Sequence, residues 1–137
     1  MPCKARAFYT GRILSHARQC HQLVQFFRVR FLGRGGHGAY PHAGVDPVVI
    51  AAEAVLALQT LVRRRVDPQK PALVTVGSIH GGTASNIIPD TVDLEGTLRS
   101  FSPEVRDTLL RGVREITQGV AKVHGGDCNC EFVAGYP

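Results

Sequence analysis

The spacing of apolar residues along residues 26–137 constrains the fold more than any other feature of this sequence. Apolar side chains that recur at every second residue indicate strands, and those that recur every three to four residues indicate helices. In chain order these spacings predict strand, helix, strand, strand, helix, strand. Two such βαβ halves with right-handed crossovers build a four-stranded antiparallel sheet with both helices on one face. The predicted fold class is therefore α+β, with a ferredoxin-like β-α-β-β-α-β arrangement.

The four predicted strands are separated by helices or by loops that contain glycine and proline. The first strand begins at Phe26 and ends before a glycine-rich loop, and the second covers Ala72–Ile79. The third, Thr91–Arg99, alternates apolar and polar residues most regularly, and the fourth runs from Cys128 to Phe132. Alternation of this kind is expected where one face of a sheet is buried and the other meets water.

Two proline-containing motifs mark where the helices begin. Asp46-Pro47 and Ser102-Pro103 each supply a capping side chain followed by a first-turn proline. The first helix is expected to end near Arg65, and the second at Gly125-Gly126. The apolar face predicted for the second helix consists of Val105, Leu109, Gly112, Ile116, Val120 and Val123.

The first helix carries more apolar surface than a single buried face requires. Two adjacent apolar rows run along it, and only a narrow strip through Glu53, Thr60 and Arg64 is polar. A helix of this composition usually buries more than one face. The second buried face lies either inside the domain or against a partner, and the sequence leaves both alternatives open.

The formal charge of +5 comes from the N-terminal part of the chain. Residues 1–45 contain seven Lys or Arg and no acidic residue, whereas residues 46–137 contain nine basic and eleven acidic residues. The near-neutral body argues against a nucleic-acid partner. No apolar run approaches the roughly 20 residues that cross a bilayer, so no membrane partner is expected.

Because the positive charge is concentrated at the N-terminal end, we divide the chain into two parts. Residues 1–25 are a basic segment that is excluded from the fold, and residues 26–137 are the domain. A soluble, cytoplasmic location is expected, with organelle targeting by the basic segment as the alternative.

Local motifs for phosphate, metal or thiol chemistry are weak in this chain. The glycine-rich stretch Gly33–Gly38 lacks the Lys-Ser/Thr pair of a nucleotide-binding loop. His37 and His42 have no acidic neighbour between Met1 and Val45 that would complete a metal site, so no metal ligand is assigned. The C-x-C motif at residues 128–130 is interpreted as two small buried residues, with metal ligation or redox chemistry as the alternative.

Several separated motifs, in matching order, resemble the lid domain of the N-acyl-amino-acid amidohydrolases. They are G-G-H-G-A-x-P-H, the helix opened by D-P, L-Q-x-L-V-x-R, G-G-x-A-x-N-I-I-P-D and the strand end G-T-x-R. This family includes hippurate hydrolases, aminoacylases and auxin-conjugate hydrolases, and it belongs to the co-catalytic zinc exopeptidases. The resemblance covers residues 26–137.

The resemblance implies a function for the complete protein and roles for three residues. In this family the lid is inserted into a catalytic domain that holds two divalent metals, zinc or manganese, and cleaves the amide bond of N-acyl amino acids. The lid forms a homodimer through a helix and an edge strand and lends polar groups to the partner subunit's active site. At the matching positions, His37 contacts the scissile carbonyl oxygen or tetrahedral intermediate, while Asn86 and Arg99 hold the substrate carboxylate.

Each of these side chains also has a purely structural alternative. Asn86 caps the turn before the I-I-P segment in that alternative, and Arg99 pairs with Glu95 or Asp93. His42 is interpreted as a hydrogen-bonding loop residue rather than a substrate contact.

The chain departs from the resembled family because it has neither the metal-ligand motifs nor the general-base Glu. We therefore expect the 137-residue chain to be inactive alone and to act as a dimerisation module, either a fragment or a truncated gene product. One alternative is a working hydrolase whose catalytic half is supplied elsewhere. The other is a stand-alone ferredoxin-like module that binds a small ligand or a partner of the basic segment.

Overall fold

The computed structural model describes residues 22–135, which form a four-stranded sheet with two long helices packed on it and a separate short pair of strands. In chain order the elements are β1 (Leu23–Leu32), β2 (Gly36–His37), a 3₁₀ helix (Pro41–Ala43), α1 (Pro47–Arg65), β3 (Ala72–Gly81), β4 (Ile87–Ile88), β5 (Thr91–Ser100), α2 (Pro103–Val123) and β6 (Asp127–Ala134). The main sheet has the strand order β3-β5-β1-β6, and its neighbouring strands are antiparallel. Both helices cover the same face, so the predicted α+β, ferredoxin-like class is confirmed.

The core lies between the helices and one face of the sheet. Phe27, Val29 and Phe31 of β1 point into it, opposite buried residues of β5 such as Leu94. Leu61 of α1 packs against the crossing point with α2. In the predicted alternation of the strands, the apolar side chains therefore face this core and the polar side chains face the open side of the sheet.

The first strand starts earlier than the sequence pattern indicated. β1 begins at Leu23, and Leu23–Gln25 pair with β5, which extends to Ser100. Backbone pairing continues as long as a neighbouring strand is present, whatever the side-chain pattern. The basic segment predicted over residues 1–25 otherwise falls on residues 1–21, outside the described residues.

Both predicted helix caps are present. The Val48 N–H donates to Asp46 Oδ1 at 2.8 Å, and the Val105 N–H donates to Ser102 Oγ at 3.2 Å. Caps of this type stabilise a helix by about 1 kcal/mol each. They fix the start of each helix relative to the strand that precedes it.

The buried face of α2 differs from the predicted one near its C-terminal end. Val123, which was expected to be buried, is 80% exposed, and Thr117 is fully buried in the core instead. The Thr117 hydroxyl donates to the Val113 carbonyl oxygen at 2.9 Å, so its polar group needs no water. Hydrophobicity alone assigns threonine to the wrong face because it ignores this bond.

Ser100 at the end of β5 offers a test of polar burial. It is 1% exposed, and its Oγ has no hydrogen-bond partner within residues 22–135. An unpaired buried hydroxyl costs about 1–3 kcal/mol. Ser100→Ala should therefore leave the free energy of unfolding unchanged or raise it by about 1 kcal/mol in urea titrations. A clear decrease would mean that the hydroxyl has a partner in solution.

Candidate functional site

β2 and β4 form a short two-stranded ribbon that projects from one end of the main sheet. In it Gly36 pairs with Ile88 and His37 pairs with Ile87, which continues the pairing of β1 with β5. Next to the ribbon, the Gly38 N–H donates to the Asn86 carbonyl oxygen at 2.8 Å. The ribbon thus brings the backbone of residues 37–38 next to that of residues 86–87, although they are far apart in the chain.

Glycine is required in the ribbon because two backbone segments approach each other closely. A Cβ atom at Gly35 would lie 2.4 Å from the Ile88 carbonyl oxygen. The Gly35 N–H donates to Asp90 Oδ1, and the Gly33 N–H donates to the Asp90 carbonyl oxygen, both at 2.8 Å. Close packing therefore accounts for glycine at Gly33 and Gly35 without a phosphate ligand, whereas a Cβ atom at Gly36 would meet nothing within 4 Å. The sequence analysis did not predict that Asp90 holds this glycine segment. The one indication in the sequence is that Asp90 ends the N-I-I-P-D motif.

The His37 imidazole is held in one tautomer by a local hydrogen bond. The Ala39 N–H donates to His37 Nδ1 at 3.0 Å. Because a backbone N–H can only donate, Nδ1 is the unprotonated nitrogen and the proton of the neutral ring sits on Nε2. The side chain is exposed, and no acceptor within residues 22–135 takes the Nε2–H. His37 therefore presents a free N–H donor at the surface.

Asn86 is exposed in the turn that precedes β4. Its side chain makes no hydrogen bond within the part of the chain that the structure describes. The turn is closed by the backbone instead, through the Ile87 N–H and the Ala84 carbonyl oxygen at 3.4 Å. The interpretation of Asn86 as a side-chain cap of this turn is therefore wrong, and its amide is free to meet a ligand.

Arg99 is exposed on the open face of the sheet, near the end of β5. The two carboxylates considered as its partners are occupied: Glu95 pairs with Arg28, and Asp93 accepts two hydrogen bonds from Arg30 at 2.7 and 2.8 Å. The hydrogen bonds and charge of Arg30 hold the pKa of Asp93 below its ordinary value. Arg99 forms no salt bridge within residues 22–135, so its alternative structural role is also wrong.

The structure does not bring Arg99 to the ribbon. Thr91 and Arg99 lie at opposite ends of β5, and eight residues of strand at about 3.3 Å each separate them by about 26 Å. The ribbon extends further in the opposite direction from Arg99. Within one protomer, Asn86 and Arg99 therefore cannot bind the same small carboxylate.

A second exposed region, which we call the α1–β3 surface, consists of one side of α1 together with the edge strand β3. On α1, Val48 is 43% and Leu56 is 71% exposed, and on β3, Ile79 is 46% exposed. β3 has a strand neighbour on one side only within residues 22–135. Both predicted apolar rows of α1 are largely buried inside the described domain, the second through Ile50, Ala54 and Leu61. Val48 and Leu56 are apolar residues of α1 that remain exposed beside them.

The described residues contain no grouping suited to a metal ion. Within residues 22–135, no three His, Cys, Asp or Glu side chains come together as a set of ligands. In the same range, no helix is long and apolar enough to cross a membrane.

Cys128 and Cys130 lie on the helix-covered face of β6 and have the character of structural residues. Both are free thiols, Cys128 is buried and Cys130 is partly buried. Burial raises the pKa of both thiols, and that of Cys130 to about 11. A thiol is nucleophilic as its thiolate, so these two residues are poor candidates for redox or metal chemistry.

Cys130 should consequently react slowly with alkylating reagents. A pKa of about 11 in place of 9.0 lowers the thiolate fraction near neutral pH by about 100-fold. Peptide-level mass spectrometry after iodoacetamide treatment should show a marked retardation, on the order of 10- to 100-fold, relative to the urea-unfolded chain. Equal rates in the folded and unfolded chain would contradict the burial of Cys130.

Comparison with known proteins identifies the family of this domain. The family model of the peptidase dimerisation domain matches residues 24–125. The N-acetyldiaminopimelate deacetylase of Leuconostoc citreum is 45% identical over 108 residues, which are 79% of this chain and 28% of that protein. The N-acetyl-L-cysteine deacetylase of Bacillus subtilis is 40% identical over 114 residues, 83% of this chain and 27% of that protein. Among solved structures, the Bacillus subtilis YXEP protein, a dinuclear metal binding peptidase from the M20 family, is similar with a TM-score of 0.65 at 24% identity, covering 85% of this chain and 27% of that one.

This chain spans a little more than a quarter of the length of the curated relatives it matches, 28% and 27%. The matched range, residues 24–125, includes both helices, the ribbon and β5, and so contains all three predicted site residues. Strand order, motif order and family match therefore agree. The chain belongs to the M20 peptidase dimerisation domain family.

Proposed function

We propose that this chain is the dimerisation and lid domain of a metal-dependent amidohydrolase that cleaves the amide bond of N-acyl amino acids. Two relatives are named as deacetylases of N-acetyl amino acids. The observation that carries the proposal is the ribbon, because β2 exposes a fixed His37 N–H donor and the turn before β4 exposes the Asn86 amide. Such a pair is suited to a substrate that carries a polarised carbonyl and a carboxylate.

The proposed dimer is formed by the α1–β3 surface of two copies. Unpaired N–H and C=O groups of an edge strand can pair with the same strand of a second copy. The exposed side of α1 would then bury its apolar residues against the partner helix. A twofold arrangement uses the same surface on both subunits, so it closes after two copies. This arrangement would bury the apolar residues of α1 that the protomer leaves exposed, such as Val48 and Leu56.

In the proposed reaction, His37 donates its Nε2–H to the carbonyl oxygen of the scissile amide as negative charge develops there. A preorganised N–H donor of this kind stabilises the transition state more than the ground state. The Asn86 amide and the Arg99 guanidinium bind the substrate carboxylate, for which Arg offers a planar pair of donors.

The separation along β5 determines how these groups are shared between subunits. Because Arg99 lies about 26 Å or more from the ribbon, one lid cannot place both Asn86 and Arg99 on one substrate. We therefore assign His37 and Asn86 to the active site of the partner subunit, and Arg99 to that of its own subunit. Each active site then contains His37 and Asn86 from the partner's lid and Arg99 from its own lid.

The two divalent metals, zinc or manganese, belong in this proposal to the catalytic domain. The described residues of this chain do not fit a metal centre, since no ligand set converges in residues 22–135. No step carried out by this chain's residues depends on direct contact with a metal.

The purified chain offers a test of the proposal. Light scattering should give a molar mass of twice 14.8 kDa. The same sample should not hydrolyse N-acetyl amino acids, even with added zinc or manganese, since no metal site is formed by its described residues. A monomer at high micromolar concentration would contradict the dimerisation role. Metal-dependent turnover by the pure chain would contradict its assignment as a lid.

A further inference from the structure

The rings of His37, Tyr40 and His42, at the end of β2 and in the segment that follows it, make two successive contacts. The Tyr40 ring is 5.9 Å from the His37 ring at an interplanar angle of 65°, and 6.3 Å from the His42 ring at 66°. Both contacts are edge-to-face, the arrangement that aromatic quadrupoles favour. Tyr40 is nevertheless 63% exposed, so burial in the core does not explain its position. His42 makes no hydrogen bond within residues 22–135, and its interpretation as a hydrogen-bonding loop residue is wrong.

The backbone of the same segment holds Tyr40 beside His37. The Tyr40 N–H donates to the His37 carbonyl oxygen at 2.9 Å, which closes a tight turn. The Ala43 N–H donates to the Tyr40 carbonyl oxygen at 3.1 Å, in the 3₁₀ helix that begins at Pro41. Inside this turn lies the bond from the Ala39 N–H to His37 Nδ1. The Tyr40 ring therefore rests on an imidazole that is already tied to the turn through one nitrogen.

We propose that Tyr40 is a positioning residue for His37. One hydrogen bond to Nδ1 fixes the tautomer, but the ring can still rotate about its side-chain bonds and lose that bond. The edge-to-face contact with Tyr40 restricts this rotation and keeps Nε2–H directed away from the turn. His42 makes the second edge-to-face contact with the Tyr40 ring. The catalytic role of His37 rests on the proposed function, but the packing of the Tyr40 ring against the His37 ring does not.

Nuclear magnetic resonance of the 137-residue chain tests this positioning directly. The two readouts are the His37 side-chain rotamer population, from three-bond couplings, and the hydrogen-exchange protection of the Ala39 amide. Tyr40→Ala should lower the ratio of this rotamer to the other rotamers, and the Ala39 protection factor, by roughly two- to tenfold, the size expected for loss of one aromatic pair. Tyr40→Phe should keep both within about twofold of wild type because the ring remains. His42→Ala should have a smaller effect than Tyr40→Ala, since His42 contacts Tyr40 rather than His37.

Tyr40→Leu serves as a second variant because it keeps an apolar side chain but removes the ring. It should behave like Tyr40→Ala, while amide signals of the main sheet stay unchanged in both variants. Wild-type rotamer populations and Ala39 protection in either variant would overturn the proposal. These measurements need no substrate and no catalytic domain. If these measurements contradict the role of Tyr40, the proposed function still stands. If the domain proves to be monomeric, the role of Tyr40 in holding His37 still stands.

Discussion

Leu56→Glu is expected to convert the proposed dimer of this domain into a monomer. Leu56 is 71% exposed in the isolated protomer and lies on the α1–β3 surface. Burying a leucine side chain contributes about 1.5–3 kcal/mol, and a twofold interface counts the change twice. The loss of about 3–6 kcal/mol weakens dimerisation by a factor of roughly 10² to 10⁴, before the cost of burying a charge is added. Sedimentation velocity over a concentration series measures this shift.

Val123→Glu is the matched control for the same substitution. Val123 is 80% exposed on α2, and no part of it belongs to the α1–β3 surface. It should therefore leave the dimer intact, and circular dichroism should show that both variants keep the fold. A Leu56→Glu variant that remains dimeric, or a Val123→Glu variant that dissociates, would place the interface elsewhere.

Gly96→Ala is expected to destabilise the domain by about 3 kcal/mol, the upper part of the range for overpacked cores. A Cβ atom at Gly96 would lie 2.2 Å from the Thr75 carbonyl oxygen and 2.4 Å from Cζ of Phe27. The first contact is with the backbone of the neighbouring strand, which cannot move without breaking the pairing of β3 with β5. The second is with a buried ring that covers Gly96 from β1. Urea unfolding monitored by circular dichroism gives the free-energy change.

Gly119→Ala, the same substitution in α2, should stabilise the domain instead of destabilising it. A Cβ atom there meets nothing within 4 Å, and glycine inside a helix costs about 0.5–1 kcal/mol relative to alanine. The free energy of unfolding should rise by about that amount. Destabilisation of similar size at both positions would show that the close approach at Gly96 is absent in solution.

The order of helices and strands was predictable because its signals are local. Asp46 and Ser102 cap helices whose prolines follow directly, and both caps form as expected. The alternation along β5 reports which face is buried, whatever the rest of the chain does. On α2 the predicted apolar face included Val123, which is exposed, and omitted Thr117, which can be buried because its hydroxyl bonds to its own helix.

The ribbon was not predictable from local patterns. β2 and β4 contain two residues each, too few to show a periodicity, and they pair only because Gly38 and Asn86 meet across the loop. The residue types of the candidate site came from motif resemblance. The distance between Arg99 and Asn86 had a signal in the sequence, since an extended strand of known length lies between them.

The proposed sharing of site residues between subunits is tested most directly by mixing two inactive variants of a complete amidohydrolase that carries this lid. One variant has His37→Ala and the other has Arg99→Ala. If His37 serves the partner's site and Arg99 serves its own, each mixed dimer contains one site with both groups altered and one site with neither. Activity toward an N-acetyl amino acid should therefore return when the two subunits are exchanged. If mixing restores no activity, both groups of one lid act on the same site, and the proposed division between subunits is wrong.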